Sequence, residues 1–361
     1  MVHRIGINAL YLIPGGVGGT EIYLRSLLSA LARVDTGNQY VVYSNQETGT
    51  GLAPPASNFL SVCLPVRASS RPKRILFEQF GLPGRLRRDR IDVLLNPGFT
   101  APAWAPCPQV TVIHDLQHKR HPEYFRWFDL PFWRLLVWTA VRRSDRLIAV
   151  SEATKADLLT YYRVPPHKIA VVEHGVDDRF FAIAAERTHI EPFLLCVSTL
   201  HPHKNIERLV RVFARLAVDR PSLRLVLAGM KGFQTSPIET LIESLGLGAK
   251  VELTGWIPRE QLYGYFRRAA AFVYPSTFEG FGMPVVEALA AEVPLACSDI
   301  EPLRGIARGA AWLFNPEDEA DMERAIRRML SGEPVGAANP AKDYSWTTAA
   351  HATLRAIRAA L

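Results

Sequence analysis

Cysteine is scarce in this chain of 361 residues. The four cysteines lie far apart and match no metal-ligand spacing; they are Cys63, Cys107, Cys196 and Cys297. A disulfide framework and a cysteine-bound metal are therefore not expected. We interpret the four residues as reduced side chains of a cytosolic protein.

Long hydrophobic runs are also missing. No stretch of about 18 uncharged apolar residues occurs, so no transmembrane helix is expected. The chain opens on a short strand pattern, and the apolar segment of a signal peptide does not follow it. Gly-x-Ser-x-Gly, Walker and zinc motifs are absent as well, which argues against the enzyme classes that use them. These absences favour a cytoplasmic location.

Acidic residues are outnumbered in the first half of the chain only. Residues 1–180 contain 22 Lys and Arg against 15 Asp and Glu, and residues 181–361 contain 20 of each, so the net charge of +7 lies entirely in the first half. This excess is either a solvated basic face or a surface that attracts anionic lipid headgroups or a diphosphate-bearing partner. Nucleic acid is disfavoured as a partner, because no recognition motif accompanies the charge.

Short apolar runs alternate with helical patterns along the whole chain, which predicts βαβ units and parallel sheets. The predicted fold class is α/β, with two Rossmann-like domains that face a central cleft. They are placed at residues 1–182 and 183–343, with a linker at Ala182–Pro192. Residues 344–361 are predicted to form a helix that packs back on the first domain. Twelve strands are predicted: Arg4–Asn8, Tyr40–Ser44, Val93–Leu95, Gln109–Ile113, Arg146–Val150, Ile169–Glu173, Phe193–Val197, Arg224–Ala228, Val251–Thr254, Ala271–Tyr274, Leu295–Ser298 and Ala311–Phe314.

The segment from Glu279 to Glu287 carries the strongest functional signal. Two carboxylates flank a Gly-Phe-Gly loop, and a helix is predicted from Met283 to Ala291. The amides of its first turn and the helix dipole suit a phosphate, and Gly280 and Gly282 would let the backbone approach a ligand. Phosphate held by backbone and hydroxyls held by carboxylates indicate a sugar nucleotide. The alternative is an ordinary loop-to-helix junction with solvated acids.

A second glycine-rich loop, Pro14–Glu21, follows the first strand and opens a helix at about Thr20. A nicotinamide dinucleotide is disfavoured as its ligand. The glycines come several residues after the strand, and the second strand lacks the acidic residue that would hold a ribose. The loop, with Gly16, Gly18 and Gly19, is either a structural turn or a cover over a diphosphate or a bound acceptor.

Further candidate site residues follow two other predicted strands. Lys204 could neutralise a diphosphate that departs as a leaving group, and a plain surface lysine is the alternative. His114 and Asp115 lie at a strand's carboxyl end and are predicted to point into the cleft. A metal site with His118 and His121 is disfavoured because their spacing fixes no ligand geometry. Loop or core histidines that serve packing are the alternative.

Two weaker signals agree with this interpretation. Gly255 and Trp256 end a predicted strand and could present backbone to a nucleobase, although such a tryptophan often packs in a core. Ser151 is predicted to cap the helix that follows it.

Together these segments resemble the retaining glycosyltransferases of the GT-B fold known as family 4 or group 1, over nearly the whole chain. The most specific part is the Glu-x7-Glu block. The resemblance implies that Glu279 contacts hydroxyls of the donor sugar and that Glu287 holds the ribose. It also implies that the loop amides at Phe281 and Gly282, with the helix that begins at Met283, take the diphosphate.

The resemblance assigns further roles outside this block. It implies that Lys204 neutralises the diphosphate, that His114 approaches the donor sugar, and that the glycine loop closes from the first domain. It implies no metal and no other cofactor. In such enzymes the acceptor hydroxyl is thought to attack from the leaving-group face, with a donor phosphate oxygen as the base.

Three positions depart from the family's pattern. Thr199 stands where many members carry an arginine, which leaves Lys204 as the one strong cation for the diphosphate and makes Thr199 a candidate donor contact. Glu292 replaces a usual glycine, and a positive φ there would cost about 1 kcal/mol. Gly305 stands where a glutamate is common, which questions local contacts of the donor domain.

The segment 114–125 is similar to mannosyltransferases of O-antigen or exopolysaccharide pathways. GDP-mannose is therefore the expected donor, and a lipid-linked or oligosaccharide acceptor is expected at the inner face of the cell membrane. The basic first domain and the aromatic run 124–133 fit an anionic membrane surface, although a core helix would also explain the run. The alternative activity is a sugar-nucleotide epimerase or a sucrose-type synthase with a soluble acceptor. The intact acids and Lys204 disfavour a non-enzymatic binding module.

Overall fold

The computed structural model describes residues 2–16, 18–230, 232, 234–336 and 338–361. These residues fall into two compact units. The first comprises Met1–Gly175 and Trp346–Leu361, and the second comprises Val176–Ser345. Val17 of the glycine loop lies outside the described residues. Residues 176–182, predicted as the end of the first domain, belong to the second unit.

The first unit is built on a parallel sheet of seven strands in the order β3-β2-β1-β4-β5-β6-β7. Its strands are β1 Arg4–Asn8, β2 Gln39–Ser44, β3 Phe59–Cys63, β4 Val93–Asn96, β5 Gln109–Ile113, β6 Arg146–Ala149 and β7 Ile169–Val171. Strands β4 and β5 are buried along their whole length, as expected for a sheet covered on both faces. Strand β3 was not predicted from the sequence, although four of its five residues are apolar. It is an edge strand of the sheet and only half-buried.

Six helices follow the strands of the first unit. They are α1 Gly19–Val34, α2 Arg71–Leu76, α3 Leu82–Arg88, α4 Gln117–Arg120, α5 Leu130–Arg143 and α6 Glu152–Tyr162. A π-helix, Phe77–Gly81, joins α2 to α3, and 3-10 turns occupy Pro122–Tyr124 and Pro166–Lys168. The predicted cap of α6 is confirmed, because the Ser151 hydroxyl accepts a hydrogen bond from the Thr154 amide at 3.1 Å.

The second unit contains a parallel sheet of six strands in the order β10-β9-β8-β11-β12-β13. The strands are β8 Glu191–Val197, β9 Arg224–Ala228, β10 Val251–Gly255, β11 Ala269–Tyr274, β12 Leu295–Ser298 and β13 Trp312–Phe314. The strand order reverses between β8 and β11. In open α/β sheets, ligands bind beyond the carboxyl ends of the strands at such a reversal.

The helices of the second unit cover both faces of this sheet. They are α7 Asp178–Glu186, α8 Ile206–Asp219, α9 Thr235–Ser244, α10 Arg259–Arg268, α11 Met283–Ala290, α12 Leu303–Ala307 and α13 Glu319–Leu330. 3-10 turns lie at Pro202–Lys204 and Pro340–Asp343. The apolar side of α8 buries Leu209, Phe213 and Leu216 in the core of the unit.

The predicted linker, Ala182–Pro192, was wrong. Helix α7 covers its first part and β8 begins at Glu191. The helix forms because the Asp177 carboxylate caps its first turn at the Arg179 amide, 3.0 Å away. Phe180 then packs against the ring of Phe266, 5.0 Å between centroids. The helix begins before the predicted linker, and its part within the linker, Ala182–Glu186, contains Ile183 as the only large apolar residue, so the sequence did not reveal it.

The last helix, α14 Trp346–Arg358, belongs to the first unit, as predicted. It packs on α1, where the Trp346 ring lies 5.9 Å from that of Tyr23. The helix buries Ala350, Leu354 and Ile357 on the side that faces the unit. The chain thus returns to the first unit at its end.

Candidate functional site

The reversal between β8 and β11 brings together the loops that carry the predicted donor residues. The loop after β8 ends in the 3-10 turn that contains Lys204, and the loop after β11 contains Glu279. The Lys204 ammonium lies 2.6 Å from Oε1 of Glu279 and 3.2 Å from the Tyr274 hydroxyl. Both charged side chains are largely buried, at 14% and 10% exposed. The structure therefore joins a cation and a carboxylate that are 75 positions apart in sequence.

Backbone contacts hold these two loops in place. The Thr277 amide donates to the His203 carbonyl at 2.8 Å. The side-chain amide of Asn205 donates to the carbonyls of Pro275, at 3.1 Å, and Pro316, at 2.8 Å. Asn205 has a φ of 58°, a left-handed conformation that asparagine tolerates better than most residues. The position of Lys204 is thus set by the turn around it.

Tyr274 is the buried floor of this contact. Burial raises the pKa of its phenol well above the usual value, and the negative charge of Glu279 raises it further. The phenol is therefore neutral at physiological pH. A neutral hydroxyl can hold the ammonium and the carboxylate without adding a charge.

The start of α11 depends on a glycine. Gly282 has a φ of 111°, and a Cβ there would lie 2.4 Å from Cδ2 of Leu303. The Phe281 ring is buried and lies 5.9 Å from the ring of Tyr344. The helix begins at Met283, as predicted, with a proline in its first turn. The positive end of the α11 dipole thus lies a few residues beyond Glu279.

Glu287, in the middle of α11, is paired with Arg259, which was not predicted as a site residue from the sequence. The Arg259 guanidinium lies 3.0 Å from Oε1 of Glu287, whose side chain is only 7% exposed. Burial raises the pKa of Glu287, and the charge of Arg259 opposes that rise. Arg259 opens α10 just after Gly255 and Trp256, but nothing in the sequence ties it to an acid on α11.

Aromatic and polar neighbours fix the Arg259 side chain. Its guanidinium stacks over the rings of Phe180, at 5.1 Å, and Tyr263, at 5.5 Å. Its Nε donates to the Tyr263 hydroxyl at 3.1 Å, and that hydroxyl donates to Asp177 at 2.5 Å. The orientation of Glu287 therefore depends on a network that reaches α7.

The loops after β8, β9 and β10 meet backbone to backbone. A Cβ on Gly229 would lie 2.0 Å from the Ser198 carbonyl oxygen, so only glycine fits there. The Thr199 carbonyl accepts from the His201 amide at 2.8 Å, within the same loop. The Gly255 carbonyl accepts from the Gly229 amide at 3.1 Å, and the Trp256 ring is largely exposed. The indole of Trp256 is thus open to a ligand, whereas the Gly255 carbonyl is already used.

The remaining predicted residues, His114 and the glycine loop, lie in the first unit. The His114 side chain is buried, and its Nε2 lies 2.8 Å from the Pro97 carbonyl. Its ring meets that of Tyr23 edge-on at 4.8 Å. Burial lowers the pKa of His114 to about 4, so the imidazole is neutral at physiological pH. A neutral ring bound to a carbonyl is a hydrogen-bond donor at Nε2, not a general base there.

The glycine loop precedes α1, which begins at Gly19. Gly18 has a φ of 58°, and the Gly16 amide donates to the Ile13 carbonyl at 2.8 Å. The Glu21 carboxylate accepts from the Gly15 amide at 2.8 Å. The Gly15 amide, which could otherwise bind an anionic ligand, is thus already hydrogen-bonded to the Glu21 carboxylate.

Family models match both halves of the chain. The model of Glycosyltransferase Family 4 matches residues 17–180, and that of Glycosyl transferases group 1 matches residues 180–345. The chain belongs to these glycosyltransferases. The GT-B fold predicted from the sequence is confirmed by the two parallel sheets and by the solved structures that the chain resembles.

Relatives of this glycosyltransferase include two proteins named for O-antigen chains. O-antigen chain mannosyltransferase RfbU of Salmonella typhimurium is 28% identical over 61% of this chain and 60% of its own length. O-antigen chain mannosyltransferase B of Escherichia coli is 23% identical over 69% of this chain and 70% of its own. Among solved structures, sucrose-phosphate synthase of Thermosynechococcus elongatus superposes with a TM-score of 0.72 at 20% identity, over 99% of this chain and 94% of that one.

The structure shows the surroundings of two positions at which this glycosyltransferase departs from the family pattern. Glu292 has a φ of 52°, so the chain keeps the conformation that suits glycine and carries the strain expected from sequence. Gly305 lies in α12, and a Cβ there would come within 3.0 Å of the flexible end of Glu301. In the described part of the chain, no group of three or more His, Cys, Asp or Glu side chains could hold a metal ion.

Proposed function

We propose that this chain is a retaining hexosyltransferase that moves mannose from a nucleotide sugar to a lipid-linked or oligosaccharide acceptor. The observation that carries the proposal is the buried contact between Lys204 and Glu279 just before the start of α11. A sugar diphosphate presents two anionic phosphates and a set of hydroxyls. A cation with a helix N-terminus matches the phosphates, and a carboxylate matches the hydroxyls.

The reaction follows from these groups. The bond between the anomeric carbon and the diphosphate oxygen breaks, and the acceptor oxygen forms the new bond to that carbon on the same face. The acceptor proton passes to a phosphate oxygen of the departing diphosphate. Lys204 and the α11 dipole stabilise the charge that develops on this leaving group. Glu279 binds sugar hydroxyls and orients the anomeric carbon.

The contact between Lys204 and Glu279 prepares the site for the donor. Both charges have already lost most of their water, so the donor exchanges one set of polar contacts for another. Lys204 turns to the diphosphate and Glu279 to the hydroxyls. Because Thr199 offers no charge in place of an arginine, this lysine and the backbone amides near Gly282 carry the leaving-group charge. The roles of His114 and of the glycine loop rest on the resemblance alone.

Mannose and GDP-mannose are favoured because both O-antigen relatives are named as mannosyltransferases. A lipid-linked acceptor would place the reaction at a membrane surface. The likeness to sucrose-phosphate synthase, at 20% identity, reflects the fold and does not favour a soluble acceptor.

A panel of nucleotides tests the donor. Melting temperature is measured with GDP, UDP, dTDP and ADP, since a ligand at about 100 times its Kd stabilises a protein by about 2.7 kcal/mol. We expect GDP to give the largest shift, and mannose transfer from GDP-mannose to yield a product with the donor's anomeric configuration. A larger shift of the melting temperature with UDP than with GDP would instead indicate a UDP-sugar as the donor. An inverted product would contradict the retaining mechanism.

A further inference from the structure

Helix α5 is apolar on both its inner and its outer side. Its inner side buries Leu136, Val137 and Ala140 against the sheet of the first unit. Its outer side and the turn before it carry five large apolar side chains that are between 45% and 83% exposed: Trp127, Phe128, Phe132, Leu135 and Trp138. We call these five residues the outer stripe. Large apolar side chains on opposite sides of a helix are normally both covered, so an exposed stripe of five such residues marks an interaction surface.

Basic side chains accompany the outer stripe. The Arg126 guanidinium lies over the ring of Phe128 at 6.0 Å, and Arg142 and Arg143 occupy the last turn of α5. Arg143 also lies 5.6 Å from the exposed ring of Trp104. Arginines thus surround the stripe with positive charge next to aromatic rings.

A second helical segment adds to this surface. The Arg71 guanidinium at the start of α2 lies 5.1 Å from the ring of Trp133, which brings α2 beside α5. Leu76 and Phe80, one helical turn apart, are 58% and 73% exposed, and Lys73 precedes them on the same side. Exposed apolar and basic residues therefore occur together on both segments.

We propose that the outer stripe, with Leu76 and Phe80, docks on the surface of an anionic lipid bilayer. Aromatic rings are suited to the level of the headgroups, and arginines keep their charge at lipid phosphates while their stems cover apolar surface. A second copy of the chain would bring like-charged arginines face to face in a two-fold contact, which disfavours self-association. Among the described residues, no helix is both long and apolar enough to cross the bilayer, so the contact is peripheral. Docking does not depend on the proposed sugar transfer.

Vesicle flotation tests this proposal. The full chain is mixed with vesicles of phosphatidylcholine alone or with about 30% phosphatidylglycerol, at low salt and at about 0.5 M NaCl. We expect the wild type to float with the anionic vesicles, its tryptophan emission to shift to the blue, and high salt to release most of it. The variant Phe132→Ser/Leu135→Ser/Trp138→Ser should lose at least about tenfold in bound fraction.

Matched variants keep the test specific. Val218→Ser/Leu245→Ser removes exposed apolar side chains of the second unit and should float like the wild type. Arg126→Glu/Arg142→Glu should lose the preference for anionic vesicles. Circular dichroism and melting temperature establish that each variant is folded. The proposal is overturned if the wild type binds neither vesicle, or if the stripe variant binds as well as the wild type. A change of mass by light scattering in the stripe variant, without vesicle binding by the wild type, would assign the stripe to self-association instead.

Discussion

Removal of Arg259 should expose how strongly the buried Glu287 depends on its partner. In Arg259→Met the side chain keeps its length and apolar packing against Phe180, but Glu287 loses the guanidinium 3.0 Å away. Two unit charges about 4 Å apart attract by about 4 kcal/mol at an effective dielectric constant of about 20. Because Arg259 is 28% exposed, solvent screens part of this attraction, and we expect a loss of about 2 kcal/mol in the free energy of unfolding at neutral pH.

The loss should depend on pH in a defined direction. Burial already raises the pKa of Glu287 above its usual 4.5, and removal of the arginine raises it further. Above pH 4.5 the folded variant then holds a proton that the unfolded chain has released. The contribution of Glu287 to the stability of the variant is therefore fully present below pH 4.5 and is lost as the pH rises through the folded pKa of Glu287.

Urea unfolding between about pH 5 and pH 8 measures this dependence. The double variant Arg259→Met/Glu287→Gln has no charge left at this pair, so it should recover much of the lost stability and should not show the pH dependence. Equal losses in the single and double variants, both flat in pH, would refute the view that Arg259 holds Glu287 ionised. The resemblance implies that Glu287 holds the ribose and takes no part in bond breaking. On that hypothesis the same single variant should raise the KM for the donor more than it lowers kcat.

Three other predictions concern single positions. Glu292→Gly should raise the free energy of unfolding by about 1 kcal/mol, because φ is 52° at this position, whereas Glu292→Ala should not raise it. Equal stabilities of the two variants in calorimetry would count against backbone strain. Gly282→Ala should lower the free energy of unfolding by about 1–3 kcal/mol more than Gly246→Ala does, because both glycines have a positive φ but only a Cβ at Gly282 would clash with Leu303. Similar melting temperatures of the two variants would disprove the clash. Burial lowers the pKa of His114 to about 4, so its ring resonances in a proton–carbon NMR titration should stay constant between about pH 6 and 8. A titration midpoint in that range would show that the ring is not desolvated.

Short sequence patterns were enough to predict most strands and the start of α11. All twelve predicted strands are present, and α11 begins at Met283, because apolar runs and a Gly-x-Pro junction are visible in a short window. Strand β3 was not predicted although four of its five residues are apolar, because an edge strand is defined by its pairing with one neighbour, here β2, and that pairing is not visible in a local window. A cap at Asp177 and the packing of Phe180 stabilise helix α7. It was not predicted because the segment interpreted as a linker begins at Ala182, in the middle of the helix, and is mostly alanine there.

The candidate site shows the same division. Lys204, Glu279 and the α11 start were predicted because strand ends at a chain reversal converge. Arg259 was not, since its partner on α11 is set by how α10 packs beside α7. The exposure of the outer stripe was likewise undecided, because an aromatic run alone fits a core helix as well as a surface.

The central claim is that Lys204 binds the donor diphosphate, and calorimetric titration of GDP tests it most directly. Lys204→Met is compared with Lys342→Met, whose exposed lysine also lies in a 3-10 turn of the second unit. A charge-assisted contact to phosphate contributes about 1.5–3 kcal/mol, so GDP affinity should fall about 10- to 100-fold in Lys204→Met and stay unchanged in Lys342→Met. Wild-type affinity in a folded Lys204→Met protein would contradict the account.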